Sequence, residues 1–501
     1  MKKTVYVTLC SFLTIVLAYG QPPVVHTHKG ETARSADGGI TITNIGKKQQ
    51  FDWRDKETLD KDVFSPKSVN FHPDGSKYYV NSLEGCATVA YATSDNHKVA
   101  VIPHRFNSGR GPLWATPSGY YHFTHYTDGE SRSFSGKPVE GTFSHGGRYL
   151  WVPYYRRTFD INAQDPSAVA IIDTRCDSIV KMMETGPLPK MIACSHDGST
   201  IAVTHWGNNT VGMIDVSSDD PTQWHHLPYV VVDYELPLNF SLTHEVNRDG
   251  NSGLMLRGTV FTPDDDYLLV ACMGGGGIAV IDMKTKKYLG KIGGISNARH
   301  LIINHGYLYA SVNSAGLVQR APFDQVMAAI KQRNGMSMTV PGGWQVCKVG
   351  GGARTIEASP SGRYVFAACN SSSALFVVDT RVMQVVAQIP VDSYPVGLDV
   401  SKDGHFVVVT SQARNYHGGN AVNLYQVEYG DEQAEQAALA ESGERTDSVA
   451  SVDAVEPQVS KANTLWGLKA DKWPVVGTLA VILLLAIVFF IRRIRHHNKK
   501  Q

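Results

Sequence analysis

Phe71-His72-Pro73-Asp74-Gly75-Ser76-Lys77-Tyr78-Tyr79-Val80 reads as a tight hairpin. An apolar strand end runs into a Pro-Asp-Gly turn that tolerates positive φ, and a β-branched and aromatic strand leaves it. The same grammar returns as Phe143-Ser144-His145-Gly146-Gly147-Arg148-Tyr149, as Cys194-Ser195-His196-Asp197-Gly198, and as Phe261-Thr262-Pro263-Asp264-Asp265. Three further copies turn on Gly306, Gly362 and Gly404, which makes seven. A third strand follows most copies and ends in aspartate, as in Val169-Ala170-Ile171-Ile172-Asp173 and Leu375-Phe376-Val377-Val378-Asp379. A fourth, such as Val385-Val386-Ala387-Gln388-Ile389, closes the unit. Four short antiparallel strands repeated in units of 40 to 45 residues predict an all-β, seven-bladed propeller over residues 60–428. Within the N-terminal segment 21–59, the strand Ile40-Thr41-Ile42-Thr43-Asn44 is expected to complete the last blade.

Tyr79-Val80-Asn81, Ala202-Val203-Thr204-His205 and Val408-Val409-Thr410-Ser411 are degenerate forms of one tetrapeptide. On these segments the chain resembles the YVTN family of β-propellers. The resemblance implies the architecture and leaves the activity open, because related propellers bind polymers, carry redox cofactors, cleave lactones or support surface layers.

The turn residues Gly75, Gly147, Gly198, Asp265, Gly306, Gly362 and Gly404 are 72, 51, 67, 41, 56 and 42 residues apart. Insertions therefore fall at about 103–136, 155–166, 233–255 and 320–343. Connections between blades, and those between second and third strands, share one face of a propeller. Most of the inserted length is expected there, and long loops on a rigid scaffold are where function concentrates.

Superposing the copies exposes two recurring positions. Eight residues before the turn stand Lys67, Lys190, Arg257 and Arg354, with Arg299 in register if its turn is one residue shorter. Blades 2 and 7 carry Val139 and Val396 instead, with Glu140 beside the first. Cations aimed at one axis repel each other, and an anion among them would be held by charge-assisted hydrogen bonds. Seven residues after the turn stand Ser82, Tyr154, His205, Cys272, Asn313, Cys369 and Ser411, all able to hydrogen-bond or ligate. The expected ligand is an anionic or polyhydroxylated small molecule or envelope polymer. An enzymatic alternative, a lactone hydrolase or lyase, would use His205 or His300 as base beside the arginines, with Glu140 or Glu245 as acid. No cofactor is required by any motif. A metal or a non-covalent haem would draw on His122, His125, His205 and His300, with His225, His226 and His244 nearby, and would make the protein a redox carrier. Gly274-Gly275-Gly276-Gly277 lacks the Lys-Ser/Thr of a phosphate loop.

The ends set the expected location. Residues 1–20 carry Lys2 and Lys3, an apolar run and Ala18-Tyr19-Gly20, the pattern of a secretory signal peptide. Residues 473–491 are uncharged, long enough for a transmembrane helix of about 28 Å, and precede the basic tail 492–501. Positive residues stay in the cytoplasm, so the propeller is expected on the periplasmic or extracytoplasmic side of the inner membrane, where a membrane-protein partner is within reach. Between them, 429–472 is acidic, and its stretch 430–463 contains no aromatic residue, the composition of a flexible linker. The chain has 47 Lys plus Arg and 46 Asp plus Glu; setting aside seven cations at the two ends, and the two cations and eight anions of residues 430–463, leaves 38 of each sign. A balanced body does not support nucleic-acid binding. Six cysteines remain after Cys10, with no CxxC, so neither covalent haem nor a zinc knuckle is indicated; Cys176 and Cys194 are a candidate disulfide.

Overall fold

The seven turn residues inferred from the repeats all adopt positive φ, from 56° at Asp265 to 98° at Gly147. Each reverses the chain between the first and second strands of a sheet, and there are seven such sheets. The computed structural model describes residues 24–51, 55–107, 113–121, 134–158, 160, 162–237, 246–413, 418–433 and 435–437. The leader, the expected membrane span and tail, and His122, His125, His244 and Glu245 lie outside them. Among the described residues no helix is long and apolar enough to cross a membrane.

Blade 1 consists of Pro66–Phe71, Lys77–Ser82, Ala87–Ala92 and Lys98–Pro103, in that order from the axis outward, and the other blades repeat the scheme. What makes seven sheets one body is apolar burial between them. Each of seven hydrophobic clusters joins one adjacent pair of blades, from Tyr79 and Leu150 between blades 1 and 2 round to Val80 and Val408 between blades 1 and 7. This ring of contacts is the radial arrangement itself. The turns also touch: a Cβ on Gly404 would lie 2.6 Å from Pro360 Cδ in the neighbouring blade's turn, so glycine is needed there for space as well as for φ. Where a third strand ends in aspartate, that carboxylate accepts a backbone N–H from the following turn, Asp173 from Arg175 at 3.0 Å and Asp379 from Arg381 at 2.9 Å.

The N-terminal strand closes the circle as expected. Ile40–Gln49 pairs antiparallel with Ala421–Tyr429, and Thr32–Arg34 adds a fifth strand outside it. Lys47, on that strand, meets Asp392 at 2.9 Å, with both side chains almost fully buried.

Three departures from the simplest blade matter. The chain after blade 1 forms Arg105–Phe106 and Phe134–Pro138, and the latter pairs with the overlong second strand of blade 2, Tyr149–Arg157. The insertion in blade 5 lies between its third and fourth strands, Leu317–Pro322 and Gln345–Lys348. That places it on the face opposite the other three insertions, which hold most of the inserted length on one face as expected, with this one the exception. It contains the helix Phe323–Lys331, whose Val326, Ala329 and Ile330 are buried between blades 4 and 5, and Ser337–Met338, which pairs parallel with the outer strand of blade 4. Finally, the acidic segment expected to be a linker starts docked: Glu435 is buried and accepts from Ser361 N and Oγ, and Tyr429 N donates to Glu432. No disulfide joins Cys176 and Cys194; the first lies on an outer turn of blade 2, the second on the innermost strand of blade 3.

Candidate functional site

Each cation of the predicted ring is the second residue of its blade's innermost strand: Lys67 in Pro66–Phe71, Lys190 in Pro189–Cys194, Arg257 in Leu256–Phe261, Arg299 in Ala298–Asn304 and Arg354 in Ala353–Ala358. In all five strands the pairing register shifts just after that residue. A bulge kinks the strand and re-aims side chains, and here the kink recurs at the upper mouth of the channel.

The side chains converge. Arg257 and Arg354 are buried, and the other three are half-buried. Burial, then Arg354, Arg257 and Arg299, push the Lys67 ammonium well below the usual lysine range. Burial, then Arg354 and Arg257, do the same to Arg299, and burial followed by Arg257 brings Arg354 down to about 10. Guanidinium groups hold their charge in proteins, so the arginines stay cationic at a place where burial first, and their neighbours second, disfavour charge.

Two carboxylates offset it. Glu140 lies 3.4 Å from Arg257, and Asp249, from the insertion before blade 4, lies 3.4 Å from Lys190 and 3.5 Å from Arg156. Asp249 also accepts from Tyr155 Oη, and Lys190 Nζ sits 3.8 Å from the centre of the Tyr155 ring. Arg248 N donates to Asn162 O at 2.9 Å, so the insertions of blade 2 and of blade 4 interlock beside the mouth. Among the described residues, the mouth carries five cations against these two acids, and the buried Nε atoms of Arg299 and Arg354 have no partner.

Below the ring runs a cavity of about 260 Å³ lined by the innermost strands of all seven blades. It contains His300, Glu357 and Asp399. Burial lowers His300 to about 4, with Arg257 the next cause, so its ring is neutral, and its Nδ1 is buried without a partner. Burial raises Glu357 to about 7, and burial followed by Glu357 raises Asp399 to about 8.

The second recurring position does not meet the axis. His205 is buried, with Nε2 2.7 Å from Thr185 Oγ1 and Nδ1 2.7 Å from Thr210 Oγ1, and burial lowers it to about 3. Both ring nitrogens are spent on fixing a turn, so it does not join His300 as a base or as a metal ligand. Tyr154 Oη is 2.8 Å from His104 Nδ1, Ser82 Oγ bridges Phe64 N and O, and Asn313 Nδ2 donates to Ala353 O. Ser411 is fully buried, as are Cys272 and Cys369. Tyr154, Ser82 and Asn313 thus pin upper loops to neighbouring segments, whereas the Cys272 and Cys369 thiols contact carbonyls of their own strands and Ser411 Oγ is buried without a partner. Among the described residues no group of three or more His, Cys, Asp or Glu is placed to hold a metal.

Glu357 and Asp399 were not among the residues singled out by sequence. Each lies three residues past its blade's ring position, where strict alternation would put it on the opposite side from Arg354 or Val396. The register shift inserts the residue that returns it to the channel.

The profile of the family described as lactonase, seven-bladed β-propeller, matches residues 163–428. The chain belongs to that family. Within this lactonase-family propeller, Lys190, Arg257, Arg299 and Arg354 fall in the matched span, whereas Lys67 and Glu140 precede it. Hydrazine synthase of Kuenenia stuttgartiensis is similar in structure, with a TM-score of 0.50 and 13% identity over 72% of this chain and 95% of that one. The β-propeller domain of Myceliophteria thermophila Cps50 (Swd1) has a TM-score of 0.49 and 12% identity, over 73% and 97%. At such identity these likenesses concern the fold alone. No curated protein matches the chain.

Proposed function

We propose that the protein is an exported, membrane-anchored propeller whose cationic upper mouth binds an anionic or polyhydroxylated ligand. The observation that carries this is the imbalance at the axis: the three arginines and two lysines of the ring share two carboxylates, one of which also serves Arg156, and two guanidinium Nε atoms remain buried and unpaired. Leaving a buried donor unsatisfied costs about 1–3 kcal/mol, more where it is charged. A bound anion would satisfy those donors and offset the repulsion at once. The pattern of residues 1–20 and the apolar stretch 473–491 support export and anchoring at the inner membrane, and the resemblance to YVTN propellers agrees with an envelope role. Replacing Arg257 and Arg354 together with Met tests the binding reading: the variant should stay folded and lose the rise in melting temperature that small dicarboxylates give the parent protein. An unchanged rise would refute the site. Resistance to carbonate extraction, lost on truncation after residue 463, tests anchoring.

A second reading, lactone hydrolysis, is favoured by the family. With His205 committed to its turn, Glu140 and His300 are the groups available as base beside Arg257. Turnover on a lactone panel that falls with Glu140→Gln would favour it over a binding module.

A further inference from the structure

The two lysines of the mouth differ in what holds them. Lys190 pairs with Asp249 at 3.4 Å and packs on the faces of Tyr155 and Trp206, 3.8 and 5.1 Å from their ring centres, so its Nζ is engaged even though burial pushes its ammonium well below the usual lysine range, with Asp249 opposing. Lys67 has no such support. Among the described residues its Nζ donates no hydrogen bond and has no carboxylate within 4.0 Å, and the charges acting on it are Arg354, Arg257 and Arg299, against Glu140 alone. Its backbone is held firmly all the same. Lys67 O accepts from Thr410 Oγ1 at 3.2 Å, and Gly397 of blade 7 passes so close that a Cβ there would lie 2.6 Å from that oxygen. A lysine on a rigid strand, half-buried and ringed by cations, is in the setting that favours the neutral, nucleophilic amine.

We propose that Lys67 is a nucleophile that condenses with the carbonyl carbon of a 2-oxo acid whose carboxylate is held by Arg257, Arg299 and Arg354. This rests on the anion-binding reading of the mouth and adds the substrate class. The Nζ lone pair forms the C–N bond while the carbonyl π pair moves to oxygen, which takes up a proton to give a carbinolamine. The nitrogen gives up one proton as the carbinolamine forms and its second as the protonated hydroxyl leaves as water, and a C=N bond remains. Amine and carbonyl become imine and water, with no change of oxidation state. Glu140, paired to Arg257 at 3.4 Å and the carboxylate among the charges acting on Lys67, is the group placed to carry the proton. The guanidinium groups would bind the carboxylate and stabilise the transient alkoxide. Lys190, caged and paired, serves as the internal control.

The test uses the full-length protein, pyruvate as probe, and cyanoborohydride to reduce any imine to a stable secondary amine, located by peptide mapping. The expected result is a pyruvyl adduct at Lys67 that forms more than roughly tenfold faster than at surface lysines and is suppressed by oxalate. Oxalate is an anion that offers no ketone. Mapping on the parent protein needs no variant to fold; Lys67→Arg, whose guanidinium forms no imine, should bind oxalate and form no adduct. If oxalate binds and Lys67 is not labelled, or is labelled no faster than Lys190, the nucleophile is refuted while the anion site stands. If neither oxalate nor pyruvate binds, the anion site falls and the nucleophile with it.

Discussion

Arg257 and Glu140 form an ion pair, Nη2 to Oε1 at 3.4 Å, that reaches from blade 4 to blade 2 over the intervening blade 3. Such a pair can form only if the innermost strands face one axis, so it reports the geometry on which the functional reading depends. It leaves Arg299 and Arg354 to repel each other, and the stability of the empty protein should reflect that.

Arg299→Met is therefore expected to stabilise the ligand-free protein. Replacing buried ion pairs by apolar side chains of similar volume is often neutral or gains about 1–4 kcal/mol, and for the half-buried Arg299 the gain should fall at the low end of that range. Denaturant unfolding measures it; a loss of stability would mean that Arg299 is satisfied by groups other than those described.

The channel acids predict the pH dependence. Glu357 and Asp399 take up protons more readily in the folded protein than in the unfolded chain, at about 7 and about 8 against ordinary values near 4. Between those limits the native state binds more protons, so stability falls as pH rises from about 4 to about 8 and then levels off. Below about pH 4 both carboxyls are protonated in either state and contribute no slope. Because the two interact, they titrate as a pair. Glu357→Gln combined with Asp399→Asn should flatten the slope in that window and raise stability at pH 8. A parent protein whose stability rises from pH 5 to 8, with the double variant parallel to it, would count against the shared channel environment.

Ring closure depends on a buried pair. Lys47 meets Asp392 at 2.9 Å with side chains 5% and 1% exposed, and Lys47 Nζ also donates to Thr27 O at 3.0 Å. Lys47→Ala leaves Asp392 buried without its cation, at a cost of about 3–5 kcal/mol. Lys47→Met with Asp392→Leu should recover much of that loss. Urea unfolding checks both, and a single-variant loss under about 1 kcal/mol, the range of an exposed pair, would show that closure does not rest there.

Much of this was legible in the sequence because a propeller writes its architecture locally. Turn residues with positive φ and third-strand aspartates recur at fixed offsets, and the position of Arg257 in its hairpin is the position of Arg354 in its own. The strand Ile40–Gln49 was recognisable as the missing partner of Ala421–Tyr429 because it alternates like the others. The role of His205 was not legible. Its partners Thr185 and Gly186 belong to the outer strand of the preceding blade, and no offset within one copy encodes that contact. Glu357 was hidden for a different reason: a bulge changes which side a residue faces without leaving a mark in the alternation. The helix Phe323–Lys331 occupies an insertion whose length was visible and whose face was not.

The most direct test is a crystal structure of the protein grown in selenate and phased at the selenium edge. The account predicts an anomalous peak among Arg257, Arg299 and Arg354, absent when Arg257 and Arg354 are both replaced by Met. An ordered mouth with no peak there, or a peak that persists in the double variant, would contradict it.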